Sequence, residues 1–253
     1  VSHEPEGNPT QSSVSRPVIY GSQEGDTPDR SRHGLFGRIM YRPFWLTVYS
    51  LCKCMFRLRV DGRENLPDGP FILSAVHRSF IDTPIVGVIT GKRLRFMGKE
   101  SLWNSKPLGA FLTFFGGFPV ERSGVDRTAL RAAQDVLALG EPLVMFPEGT
   151  RQEGARLNRE QVLDGPAFVA ARAGVPIVPV GIGGSAKALP LGAKIPRPRK
   201  IVVVIGEPIA PPGKVNGKVP RRAVKELTDT LYRDLSDLYI EARVLAGDEP
   251  APA

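Results

Sequence analysis

Of the three histidines in the 253 residues, His3, His33 and His77, only His77 lies in a stretch patterned like a folded domain. It follows the apolar run from Phe71 to Val76, and Asp82 comes five residues later, with Thr83-Pro84 opening a candidate helix. An extended strand would hold these two side chains about 17 Å apart, and a regular helix would point them ~140° apart. They meet only if the chain turns tightly, as at a strand-to-helix junction. There Asp82 would accept the proton of one imidazole nitrogen, fix the tautomer and leave the other nitrogen as a general base. A lone histidine at a strand end is ordinarily structural, and the carboxylate at this spacing lifts His77 above that reading. The dyad has no nucleophile of its own, so the hydroxyl it activates belongs to a substrate.

A second block, Phe146-Pro147-Glu148-Gly149-Thr150-Arg151, follows another apolar run. Gly149 permits close backbone approach of a ligand, and its N–H can stabilise a developing oxyanion. Arg151 presents a fork of donors that matches a phosphate. Taken alone, the block is a turn with solvated charges. Gly117-Phe118-Pro119-Val120-Glu121-Arg122 repeats the pattern of an apolar run ending in proline and presenting an arginine. In Val175-Pro176-Ile177-Val178-Pro179-Val180-Gly181 the two prolines predict an edge or lining strand rather than a central one.

The elements that must position these blocks alternate. Strands are predicted over 58–63, 71–76, 94–97, 143–146, 177–181 and 201–205. Helices are predicted over 84–90, closed by Gly91, and over 127–139, stopped by Gly140. After Pro220 a final helix carries Val224, Leu227, Leu231, Leu235 and Leu238 at helical spacing. Such alternation implies an α/β fold, a central mostly parallel sheet flanked by helices. Upstream, Leu35, Phe36, Ile39 and Met40 share one helical face, Pro43 is expected to break or kink the helix, and Phe44 to Leu58 is almost wholly apolar with a narrow polar stripe. Its charge-free part, Pro43 to Cys52, is about half the ~20 residues a spanning helix needs. With basic edges and aromatics between, the segment fits an amphipathic membrane-binding pair of helices lying in the interface; an ordinary helix packed on its own domain is the alternative. The expected organisation is a flexible tail over 1–33, interfacial helices over 34–58, a catalytic domain over 59–246 and a disordered tail over 247–253.

With 42% hydrophobic and 24% charged residues, the chain is neither globally disordered nor a coiled coil. Lys and Arg exceed Asp and Glu by 34 to 26, a net charge of +8, which points to a polyanionic neighbour. No nucleic-acid module accompanies that charge, so an anionic membrane surface or a phosphorylated ligand is the expected partner. Cys52 and Cys54 are too few for a disulfide scaffold and wrongly spaced for zinc, and read as buried thiols in a reducing compartment. No metal site is expected. Gly181-Ile182-Gly183-Gly184-Ser185-Ala186 matches a dinucleotide fingerprint, yet Pro190 falls where its helix should run and no acid follows at the required distance. The charge-free run from Pro107 to Val120 is either an acyl groove or a core helix. The basic stretch from Lys194 to Lys200 is a solvated loop by default, or a contact for lipid or acyl donor.

Taken in order, the four blocks resemble the glycerolipid acyltransferase family, typified by bacterial 1-acyl-glycerol-3-phosphate acyltransferases. His77 and Asp82 match its H-x-x-x-x-D block, residues 146–151 its F-P-E-G-T-R block, 116–122 its G-x-x-F-[IV]-x-R block and 175–180 its V-P-[IV]-x-P-V block. Pro-Val-Glu-Arg stands where Ile-Asp-Arg is commoner, so no role passes to Glu121. The resemblance covers roughly residues 58–238 and implies a mechanism. His77, oriented by Asp82, would deprotonate the acceptor hydroxyl, which attacks the thioester of acyl-CoA or acyl carrier protein, the co-substrate. No further cofactor is implied. Glu148, Gly149 and Thr150 would form the oxyanion and pocket region, with Gly149 N–H the donor and Glu148 shaping the pocket or touching glycerol. Lys99, Arg122 and Arg151 would hold the phosphate of an acceptor such as lysophosphatidate. The implied location is peripheral, on the cytoplasmic face of the cell membrane. Two rival expectations are the same chemistry on a lysophospholipid, glycolipid or glycerol 3-phosphate, and a catalytically silent lipid carrier.

Overall fold

The computed structural model describes residues 35–120 and 127–248. The expected tail over 1–33, Gly34, Arg122 and the last five residues lie outside the described residues.

Seven strands form one sheet: β1 (Arg59–Asp61), β2 (Ile72–Ala75), β3 (Arg95–Lys99), β4 (Gly117–Val120), β5 (Leu143–Met145), β6 (Ile177–Gly183) and β7 (Val202–Ile205), in the order β1-β7-β6-β2-β5-β3-β4. All neighbours are parallel except β6 and β7. The fold is therefore the mostly parallel α/β sheet that the alternation implied. Short β-branched runs such as Val202–Ile205 and Ile177–Gly183 are buried along their whole length, as strands covered on both faces must be. Covering helices are α1 (Leu35–Phe56), α2 (Asp82–Ile89), α3 (Lys106–Phe114), α4 (Arg127–Ala138), α5 (Gly165–Ala173), the single turn α6 (Ser185–Ala188) and α7 (Arg221–Ala246).

Four local expectations are corrected. Cys52 is buried as expected, but Cys54 is exposed. Pro43 does not interrupt α1, which is one helix where two were expected. The residues just beyond the proline are anchored: Phe44 packs edge-on against Phe114 and Phe115 at 5.3 and 4.7 Å, and Trp45 stacks on Tyr49. β6 is a central strand despite its prolines. Pro176 precedes the ladder and contributes only its carbonyl, which accepts from Ile72 N–H. The missing N–H of Pro179 falls where β7 has already ended, and Gly206 N–H still reaches the Pro179 carbonyl at 2.9 Å. Gly247 and Asp248 belong to the folded unit, because Asp248 is paired with Lys187 and Arg243.

The glycines of the dinucleotide-like stretch have a packing role. A Cβ on Gly181 or Gly183 would overlap the α7 backbone at Leu238 or Ala242, so glycine lets that helix lie directly on β6. The run from Pro107 to Val120 divides into α3 and β4 across a turn at Gly116, whose φ of +91° a side chain would resist.

Candidate active site

β2 delivers His77 to the carboxyl edge of the sheet, and four residues of turn separate it from Asp82 at the first position of α2. Asp82 is fully buried. Its Oδ2 accepts from the Arg78 and Ser79 backbone N–H groups, both at 2.6 Å, and lies 3.2 Å from His77 Nδ1. The spacing has a simple cause: one carboxylate oxygen gathers the donors of the turn that folds back over it. Since that oxygen can only accept, the Nδ1 proton points at Asp82 and Nε2 is the ring nitrogen left for chemistry.

The histidine is also held from behind. Its ring stacks on Phe146 with centroids 4.0 Å apart. Its backbone N–H donates to Glu148 Oε2 at 3.0 Å, and its carbonyl accepts from Gln152 N–H at 2.9 Å and from Arg78 Nη1 at 3.2 Å. Glu148 Oε1 accepts from Arg78 Nη1 at 2.5 Å. Both members of that ion pair are buried. The Arg78 guanidinium sits 5.0 Å over the Tyr239 ring on α7. Burial pushes the Tyr239 phenol up, against the opposing pull of Arg78 and Arg243, so it stays protonated and donates to the Gly154 carbonyl at 3.0 Å.

His77 opens onto a cavity of about 870 Å³. Lys99, Gly149, Thr150 and Arg151 line it with His77, and among the described residues no Asp or Glu does. Most of the remaining wall is apolar, including Phe96, Met97, Leu108, Leu112, Val120 and Val144. The charge-free run thus supplies cavity wall from both α3 and β4. Lys99 and Arg151 have no carboxylate within ion-pair distance among the described residues, and the Arg151 guanidinium sits over the Phe80 ring, 3.4 Å from its centroid. The described residues contain no group of three or more His, Cys, Asp or Glu able to hold a metal ion.

Two expectations for the second block differ from the geometry. Glu148 does not line the cavity. It faces inward, because its two oxygens serve the Arg78 guanidinium and the His77 backbone. Gly149 N–H is already donated to the Phe146 carbonyl at 3.0 Å and Thr150 N–H to the Glu148 carbonyl at 2.7 Å, so neither is aimed at an oxyanion. The positive φ of Gly149, +67°, is what closes that turn. Sequence reasoning missed Arg78, Phe146 and Tyr239 as supports of His77. A charged residue directly after the histidine at the end of a buried strand was the available signal for Arg78. Tyr239 continues the buried stripe of α7 and gave none.

Residues 57–183 match the family described as Acyltransferase. The chain belongs to that family. It is 30% identical over 173 residues to a 1-acyl-sn-glycerol-3-phosphate acyltransferase of Bacillus subtilis, an alignment covering 64% of this chain and 82% of the relative. It is 31% identical over 161 residues to the chloroplastic 1-acyl-sn-glycerol-3-phosphate acyltransferase LPAT1 of Arabidopsis thaliana, covering 61% of this chain and 44% of that protein. The chain therefore spans less than half of the chloroplast relative. Among solved structures, it is similar to the 1-acyl-sn-glycerophosphate (LPA) acyltransferase PlsC of Thermotoga maritima, with a TM-score of 0.65 at 25% identity over 86% of this chain and 85% of that one.

Proposed function

We propose that this acyltransferase moves a fatty acyl group from an acyl thioester, acyl-CoA or acyl carrier protein, to the free hydroxyl of 1-acyl-glycerol-3-phosphate, giving phosphatidic acid. The observation that carries the reading is the His77–Asp82 pair opening on a cavity that joins the cations Lys99 and Arg151 to an apolar wall. His77 Nε2 takes the acceptor's hydroxyl proton as its oxygen attacks the thioester carbonyl. The new C–O bond forms, the C–S bond breaks, and the imidazolium returns its proton to the departing thiolate. Asp82 stabilises the positive charge that appears on His77. Charge developing on the carbonyl oxygen meets a lining that carries the Lys99 and Arg151 cations, an environment that favours it. Lys99 and Arg151 provide the phosphate grip, and the apolar wall takes acyl chain.

The acceptor and donor both come from lipid metabolism, and α1 supports work at a membrane. Leu46 and Leu51 are exposed on it, at 54% and 58%, between aromatics and basic residues. No helix of the described residues is long and apolar enough to cross a membrane. An interfacial position on the cytoplasmic face fits these features. The test is free-thiol release from acyl-CoA with lysophosphatidate, glycerol 3-phosphate or a neutral lysophospholipid as acceptor. Release that depends on lysophosphatidate, with phosphatidic acid as product, is expected. Preference for another acceptor would move the activity there, and no release with any acceptor would leave a lipid carrier.

A further inference from the structure

The loop after α6, residues 190–200, has no part in the mechanism above, yet it displays the most exposed large apolar side chain among the described residues. That residue is Ile195, at 79%, and Leu191 beside it is 47% exposed. Lys194, Arg197 and Arg199 are exposed around them and have no carboxylate within ion-pair distance among the described residues. Between Asp164 and Glu207 the chain contains no acid at all, while Arg172, Lys187, Lys194, Arg197, Arg199 and Lys200 all fall in that interval.

An apolar tip ringed by cations is costly to leave in water, and no described residue covers it. The loop nevertheless keeps a defined shape. Pro190, Pro196 and Pro198 restrict its backbone, Arg197 N–H bonds the Ala188 carbonyl at 2.7 Å, and Lys200 Nζ bonds the Leu245 carbonyl at 2.6 Å. Its two roots are tied to functional elements. Ser79, whose N–H holds Asp82, donates its hydroxyl to the Leu189 carbonyl at 2.7 Å, and Ile201 N–H bonds the Phe56 carbonyl at the end of α1.

We infer that the 190–200 loop is a second membrane-docking element, separate from α1, which inserts Leu191 and Ile195 into an anionic bilayer while Lys194, Arg197 and Arg199 engage its headgroups. Charge complementarity selects the anionic surface, and the exposed aliphatic pair selects a bilayer over a soluble polyanion. Because the loop root is bonded to the catalytic turn, docking fixes the height of that turn relative to the lipid. This site-specific role builds on the acyl-transfer reading, but docking itself does not require turnover.

Partition of the full chain into sedimenting vesicles tests it, using phosphatidylcholine alone and phosphatidylcholine with phosphatidylglycerol. Lys194→Gln/Arg197→Gln/Arg199→Gln should weaken binding to the anionic vesicles by roughly fivefold per cation, ~100-fold in all, and leave neutral vesicles nearly unaffected. Leu191→Ser/Ile195→Ser should weaken binding to both by roughly tenfold. Thiol release with a short-chain, monomeric acceptor should stay at the wild-type rate in both variants. Loss there would trace to the reaction, whereas loss confined to vesicles traces to docking. As a check independent of any destabilised variant, Ile195→Cys in a Cys54→Ser background carries a polarity-sensitive dye, whose emission should shift to the blue with anionic vesicles. Vesicle binding within twofold of wild type in both variants, or unmoved emission, would overturn the assignment and leave the loop to an acidic protein surface.

Discussion

The two ends of the cavity are built by opposite means. At the His77 end, the side chain, N–H and carbonyl of a single residue are all engaged, and Asp82, Glu148 and Arg78, which engage them, are buried. At the other end, α3 has Gly109 as its one buried residue, and Leu102, Leu108 and Phe111 are 40–52% exposed. There Trp103 lies over Gly98 and Gly109, where a Cβ would come within 2.7 and 3.0 Å of it, and its Nε1 donates to Thr113 Oγ1 at 3.0 Å. Polar bonds with strict geometry position the chemistry, whereas side-chain packing shapes the apolar wall. A proton transfer tolerates little displacement. An acyl chain has many conformers and needs only a wall of the right volume.

That contrast can be broken most forcefully at the Arg78–Glu148 pair. Glu148→Ala leaves a buried guanidinium without its carboxylate and the His77 N–H without an acceptor. Urea unfolding should show a loss of about 3–5 kcal/mol, and turnover should fall with it. The double change Arg78→Met/Glu148→Leu sharpens the point: stability should largely return, since apolar replacements of a buried pair are often neutral, while turnover stays low because His77 has lost its props. Recovery of both would make the pair a mere filler of the core.

Asp82→Asn comes next. The amide oxygen can still accept from the turn, but it carries no charge to balance an imidazolium, so kcat should fall about 10²–10⁴-fold with an unchanged acceptor KM. A drop confined to KM would place Asp82 in substrate binding. The smallest effect is expected at the opposite end. Trp103→Ala should cost ~0.5–3 kcal/mol and leave the rate with a short acyl donor near wild type, while shifting preference toward longer donors. A uniform loss across donor lengths would mean that this wall, too, positions the reacting atoms.

All strands but β4 were readable as short apolar runs bounded by prolines and glycines, and the His77–Asp82 meeting followed once the five-residue spacing was set at a strand-to-helix junction. Where reading failed, the deciding partner was remote in sequence. The family resemblance implied a pocket role for Glu148, but Arg78, seventy residues away, turns it inward. Pro179 was read as an edge signal because nothing local to β6 reveals that β7 ends opposite it. Continuity of α1 through Pro43 depends on Phe114 and Phe115 in the same way.

The most direct measurement is single-turnover thioester cleavage by the His77→Ala variant, with acyl donor and lysophosphatidate both saturating and folding verified by its melting transition. Removal of the group that receives the hydroxyl proton should slow cleavage at least ~10²-fold and leave vesicle binding unchanged. Cleavage within about tenfold of wild type would contradict a proton-accepting role for His77 and place the reaction's base elsewhere in the cavity.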